Sequence, residues 1–149
     1  MVESVIALVI ITGVFLVLFK VSHLLTGKIL VEHAAMRVAR ARAVGFNEFM
    51  RLKAARICVI PVAGERLWPD KDDPRKDISE VALARVYMRT PDSVYADGLL
   101  EYENWKPDRL SVSSQGGTRS SVRLKTDWMD LSGEAEVDSL PIYLGAGTP

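Results

Sequence analysis

The sequence predicts an α+β chain in which one long N-terminal helix of about 55–60 residues carries a small C-terminal head of short helices and a three-stranded antiparallel sheet. Three observations lead there. Residues 5–19 are almost continuously apolar, interrupted only by Thr12 and Gly13. No proline occurs before Pro61, and residues 20–60 are rich in Ala, Leu, Arg, Val and Met, so nothing obvious stops a helix that begins near the N-terminus. Farther on, residues 118–128 alternate apolar and charged side chains between two clusters of turn residues, the pattern of a half-exposed strand.

Residues 1–25 form the first segment of the predicted helix, suited to a membrane or to the centre of a helix bundle. The uncharged run 5–19 spans roughly 22 Å as a helix, short of a hydrocarbon core of roughly 30 Å. Letting Lys20 snorkel and continuing through Leu25 makes a crossing feasible. A cleavable secretory signal would need a basic stretch before the run and a small-residue cleavage site after it, and neither is present. Glu3 instead opens the run, where a carboxylate is costly in lipid unless it is neutralised. The helix N-terminus and the free amino group of Met1 are the positive partners at hand.

Residues 26–60 are expected to continue the same helix in amphipathic form. Leu30, Ala34, Val38, Ala41, Phe49 and Ile57 fall near 3.6-residue spacing and define one stripe facing a partner. Gly13, Gly27 and Gly45 are points of bending, of close helix approach, or of no special role. Six basic residues against Glu48 alone lie between Ala34 and Ile57, and the positive-inside rule by itself would put that segment in the cytoplasm.

Residues 61–77 are polar, contain Pro69 and Pro74, and read as a linker loop. The head then occupies 78–149. Ser79 is a candidate N-cap for a helix of about ten residues ending before Pro91, although Val81, Leu83, Arg85 and Tyr87 also alternate as a strand would. A short second helix is expected between Asp92 and Pro107. Three strands follow at 109–114, 118–128 and 134–144, with SSQGGTR and DLSGE supplying hairpin turns. Phe46, Phe49, Trp105 and Trp128 are the candidate core between helix and head.

Composition excludes little and chemistry finds no purchase. The chain carries 19 basic and 19 acidic residues, so no net charge calls for nucleic acid. Acid concentrates late, with Asp127, Asp130, Glu134, Glu136 and Asp138 and no base among them, which suits either head-to-tail contact between copies or two separately solvated faces. Cys58 is the sole cysteine and stands between Ile57 and Val59, a buried rather than a reactive setting. His23 and His33 are ten residues apart with no further ligand to complete a metal site. Asp70, Asp72 and Asp73 lack the glycine and the acid that a calcium loop requires, since Arg75 and Val81 stand there. Gln115-Gly116-Gly117 lacks the lysine of a phosphate loop. The expectation is a non-enzyme without cofactor or metal.

A carboxylate at the head of an apolar helix that runs unbroken into a small head domain resembles the type IV pilin-like proteins. The stretch ARARAVGFNEFMRLKAARICVIPVAGE and the later LPIYLGA are similar to the TadE-like pilin-related proteins of tight-adherence systems. The resemblance implies a precursor with a short basic leader removed by a membrane peptidase. It also implies residence in the bacterial inner membrane, then assembly by an ATPase-driven machine into an extracellular adhesive filament of identical subunits. In that family the acid usually stands at the fifth mature position and neutralises a neighbour's N-terminal amine; here it is Glu3, so either the cleavage point differs or Met1 is the start of the gene. The resemblance thus implies Met1 and Glu3 as the pair setting charge and register between subunits, and Val5, Ile6, Leu8, Val9, Phe15, Leu16 and Phe19 as the packing residues of a filament core. Minor pilin, pseudopilin and single-pass envelope anchor are the alternative roles.

Overall fold

A computed structural model of the chain describes residues 2–70, 72–91, 93–115 and 119–137. It has the α+β, pilin-like arrangement expected: a long N-terminal helix, short helices and a three-stranded antiparallel sheet. The first helix, α1 (Val2–Ala43), has 42 residues and is about 63 Å long.

The expected helix of 55–60 residues is instead two. Gly45 takes φ +86°, a left-handed conformation that only glycine adopts cheaply. Its N–H bonds the Arg42 carbonyl at 2.8 Å while the Phe46 N–H reaches back to Ala41 at 3.0 Å, the paired bonds that close a helix C-terminus. Asn47 then caps the next helix, its side chain accepting from the Met50 N–H at 2.9 Å. That helix, α2 (Glu48–Cys58), packs back against α1, so residues 26–60 are not one rod.

Residues 61–77 are likewise more than a linker. They contain β1 (Arg66–Trp68), which pairs antiparallel with β2 (Glu101–Tyr102), and a 3-10 turn at Pro74–Asp77. Asp73 caps that turn and binds Arg75, with Oδ2 to Nη2 at 2.6 Å, and this partner holds its carboxyl down at about 2. The helix α3 (Glu80–Arg89) starts where Ser79 accepts from the Ala82 N–H and ends ahead of Pro91; α4 (Ser93–Asp97) follows.

The main sheet is a meander of β3 (Leu110–Gln115), β4 (Arg119–Lys125) and β5 (Asp130–Glu136). The DLSGE stretch read as a turn lies inside β5, and the part of the expected third strand beyond residue 137 lies outside the described residues. Ser120, Val122 and Leu124 of β4 and Leu131 and Gly133 of β5 face inward, against Val31, Ala34, Ala35 and Val38 of α1. Gly133 sits under α1 so closely that a Cβ there would lie 2.7 Å from the Val31 carbonyl oxygen.

Acid and base, segregated along the sequence, are mixed in space. Arg109 pairs with Asp127, Arg119 with Glu136 and Arg123 with Asp130, so these late acids are neutralised within their own head.

On the far side of the core, Tyr87 and Tyr102 pack on Trp105, with ring centroids 5.4 and 4.8 Å apart. Lys53 of α2 is fully buried beside them. Its ammonium donates to the Tyr87 carbonyl at 2.8 Å and to Thr90, two acceptors at the C-terminal end of α3, and lies 4.6 Å from the centre of the Phe49 ring. Burial lowers its pKa, and Asp97 opposes the shift.

Candidate functional site

The head uses only the second half of α1. Buried positions on that helix begin at Gly27 and recur through Val31, Ala34, Ala35, Val38, Ala39 and Ala41, a stripe of small and branched residues turned to the sheet and α2. Gly27 admits the start of β5: a Cβ there would lie 2.8 Å from Leu131 Cδ1, with Met129 Sδ at 3.8 Å.

Residues 2–26 project beyond the head for roughly 37 Å. Sixteen large apolar side chains between Val2 and Leu25 stand exposed there, from 43% at Leu24 to 73% at Val2. They occupy every side of the helix, so no rotation of α1 would bury them against the head. α1 is long and apolar enough to cross a membrane, and it is suited to act as an anchor. The expected filament-core residues Val5, Ile6, Leu8, Val9, Phe15, Leu16 and Phe19 all lie on this projecting part and are exposed. Glu3 is exposed in its first turn; Met1, its expected partner, lies outside the described residues.

The four expected core aromatics divide. Trp105 is 1% exposed at the centre of the core, and Phe49 packs partly buried against it. Phe46 and Trp128 are corrections. Phe46 is half exposed because it belongs to the loop that closes α1 rather than to a continuous helix. Trp128 is 53% exposed because β4 ends at Lys125. The Thr126 N–H bonds the Met129 carbonyl at 2.7 Å and the Met129 N–H bonds Thr126 Oγ1 at 3.0 Å, tightening a turn that carries Trp128 off the inward face. Trp128 nonetheless reaches α1, stacking on His23 at 5.3 Å, which in turn stacks with Phe19 at 6.3 Å. Leu16, Phe19, Lys20, His23 and Trp128 line a groove of about 450 Å³ where the projecting helix meets the head.

Sequence reasoning did not bring His23 and Trp128 together, because their contact depends on a turn position 105 residues away. A period-two reading of Leu131, Gly133 and Ala135 would have placed Gly133 on the inner face of a strand. The thiol of Cys58 is pushed up by burial, with Arg37 opposing, which disfavours the nucleophilic thiolate. Asp73, one of the three clustered aspartates, is committed to Arg75.

The chain matches no family model, no curated protein and no solved structure with which it was compared. Its geometry therefore defines a class and not a relative: a small α+β head in pilin-like arrangement on a projecting apolar helix.

Proposed function

We propose that this chain is a non-catalytic structural subunit of a type IV pilus-like filament of the TadE-like, tight-adherence kind. It resides in the bacterial inner membrane before assembly and polymerises outside the cell through residues 2–26 of α1. One observation carries the reading: an apolar rod of about 37 Å whose large side chains its own head leaves exposed, touching it through Trp128 at its base. Each of its large side chains contributes about 1.5–3 kcal/mol when fully buried, so water is not its working environment. A bilayer meets that demand before assembly, and a bundle of identical helices meets it afterwards. Glu3, in the first turn, then sets axial register, because an unpaired buried carboxylate is costly and penalises every misplacement. A leader peptidase and an inner-membrane assembly machine are the further partners this role requires.

The test is electron microscopy of sheared cell-surface material with mass spectrometry of this protein's N-terminus. Filaments built mainly of this chain support the major-subunit role, and traces of it in filaments built of another protein indicate a minor pilin or pseudopilin. Retention in the membrane as detergent-extractable monomer would replace the proposal with that of an envelope anchor. Within filaments, normal assembly of Glu3→Ala would remove the register role.

A further inference from the structure

We propose that the turn joining β4 to β5, residues 126–129, is a membrane-docking element. Trp128 enters the headgroup layer of a phospholipid bilayer beside the point where α1 leaves it. The inference rests on the reading that α1 crosses a bilayer before assembly, and adds that the head lies on the lipid surface in a fixed orientation.

Axial distance sets the level. From Glu3 to His23 the helix rises about 30 Å, the thickness of a typical hydrocarbon core. With Glu3 at one boundary, His23 falls at the other, and Trp128 stacks on His23 at 5.3 Å. Tryptophan favours that boundary, where its ring meets acyl chains and its N–H meets polar acceptors. The Trp128 indole makes no hydrogen bond among the described residues and is 53% exposed, so its N–H is available to a lipid carbonyl or phosphate.

The surrounding charges suit the same surface. Lys20 lines the groove within one helical turn of His23, close enough to snorkel toward phosphate. Lys125 is exposed at the end of β4, immediately before the turn. Asp127, the acid beside Trp128, is paired with Arg109 at 3.0 Å, which reduces its repulsion of anionic headgroups. The groove between Trp128 and α1 is otherwise lined by Leu16, Phe19 and His23, a setting for the upper methylenes of an acyl chain.

The position of the turn is built rather than incidental. Leu131 and Met129 seat over Gly27, one turn along α1 from His23, and that close approach brings Trp128 onto the His23 ring. A larger side chain at residue 27 would lift the turn away from the helix.

The full chain, reconstituted into phosphatidylcholine vesicles brominated at either shallow or deep acyl positions, tests the inference by tryptophan quenching and vesicle flotation. The expected result is that the chain floats and that shallow bromines quench its fluorescence more than deep ones. Trp128→Phe should float equally, keep its near-ultraviolet circular dichroism from the buried Trp105, and lose the shallow quenching. A floating wild type without shallow quenching, or with quenching that survives Trp128→Phe, overturns the docking element and leaves the membrane reading intact. A photo-crosslinker at position 128 that captures a second copy instead of lipid overturns it as well and makes the groove a subunit contact. Failure to float overturns both readings together.

Discussion

Replacing Gly133 by alanine tests the central packing claim, that α1 and β5 approach too closely for any side chain between them. A Cβ at that position would lie 2.7 Å from the Val31 carbonyl oxygen and 2.8 Å from both the Cα and the N of Glu32. All three are backbone atoms of a regular helix and cannot rotate aside. Ordinary carbon contacts lie at about 3.5–4.0 Å, so α1 must retreat from β5 by about 0.7 Å. That shift loosens Val31, Ala34, Ala35 and Val38 over Val122, Leu124 and Leu131, all of them buried. Overpacking of this kind costs about 1–3 kcal/mol, and removing a glycine from a strand returns about 0.5–1 kcal/mol through chain entropy. Because the clash is with rigid backbone, its cost falls in the upper part of that range, about 2–3 kcal/mol, leaving a net loss of about 1–2.5 kcal/mol, or about 4–10 °C in midpoint for a head of this size.

Thermal unfolding of the full chain in detergent micelles, followed by near-ultraviolet circular dichroism, reads that shift. Two internal comparisons sharpen it. Gly27→Ala meets the end of the flexible Leu131 side chain and gains helix propensity of about 1 kcal/mol, so it should fall well short of the Gly133→Ala loss. Gly13→Ala meets nothing within 4 Å and should leave head unfolding unchanged. Gly133→Ala unfolding within about 0.3 kcal/mol of wild type would refute the close approach, because backbone atoms at these distances leave no cheap accommodation.

Asn47→Ala removes the cap of α2 and should cost about 1 kcal/mol by denaturant unfolding, against only a few tenths for Asn47→Gly. Lys53→Met keeps the length of the side chain but leaves one buried and one partly buried carbonyl without their donor, and a loss of about 1–3 kcal/mol is expected in the same assay. The Asp73 carboxyl, held at about 2 against 3.8 when free, should titrate at that low value by NMR and return toward 3.8 in Arg75→Gln. Because the folded value is the lower one, the stability it contributes is complete above 3.8 and is lost as pH falls from 3.8 toward about 2. Cys58 should react with a neutral disulfide reagent at least about tenfold more slowly in the folded chain than in denaturant, since burial raises its pKa and restricts access.

Much of the fold was legible because local signals agreed with tertiary demands. Ser79 before an apolar-periodic stretch and Pro91 after it bracket α3, and the alternation through Val122 and Leu124 gives β4 its inner face. The break at Gly45 carries no proline: a left-handed glycine followed by a capping Asn47 ends one helix and starts the next, so the absence of proline before Pro61 does not mark a continuous helix. β1 was hidden because three residues have no readable period and pair with a two-residue strand more than thirty positions later. Gly133 has the type of a turn residue, but its period-two neighbours Leu131 and Ala135 place it on the inner face of β5. Lys53 is one of six bases between Ala34 and Ile57, and its burial depends on the carbonyls of α3, which no local pattern announces. On the projecting helix the apolar character was plain from composition, while the groove at its base requires the β4–β5 turn to be placed in space.

The division of α1 near residue 27 gives the two halves different energetics on one rigid element. Beyond that point small residues let β5 and α2 approach, and the head covers the stripe of apolar side chains that faces them. Before it, none of the described large apolar side chains is buried, so the fold gains little from them and an external apolar phase gains the rest. Because α1 runs helical through Gly13 and Gly27 without a break, the head and the bare segment share one axis. In the proposed assembly, drawing the apolar segment from lipid into a helix bundle must therefore carry the head with it. A Trp128 anchored in headgroups would resist that transfer, so the force that extracts the subunit has to break the lipid contact of the β4–β5 turn along with that of the helix.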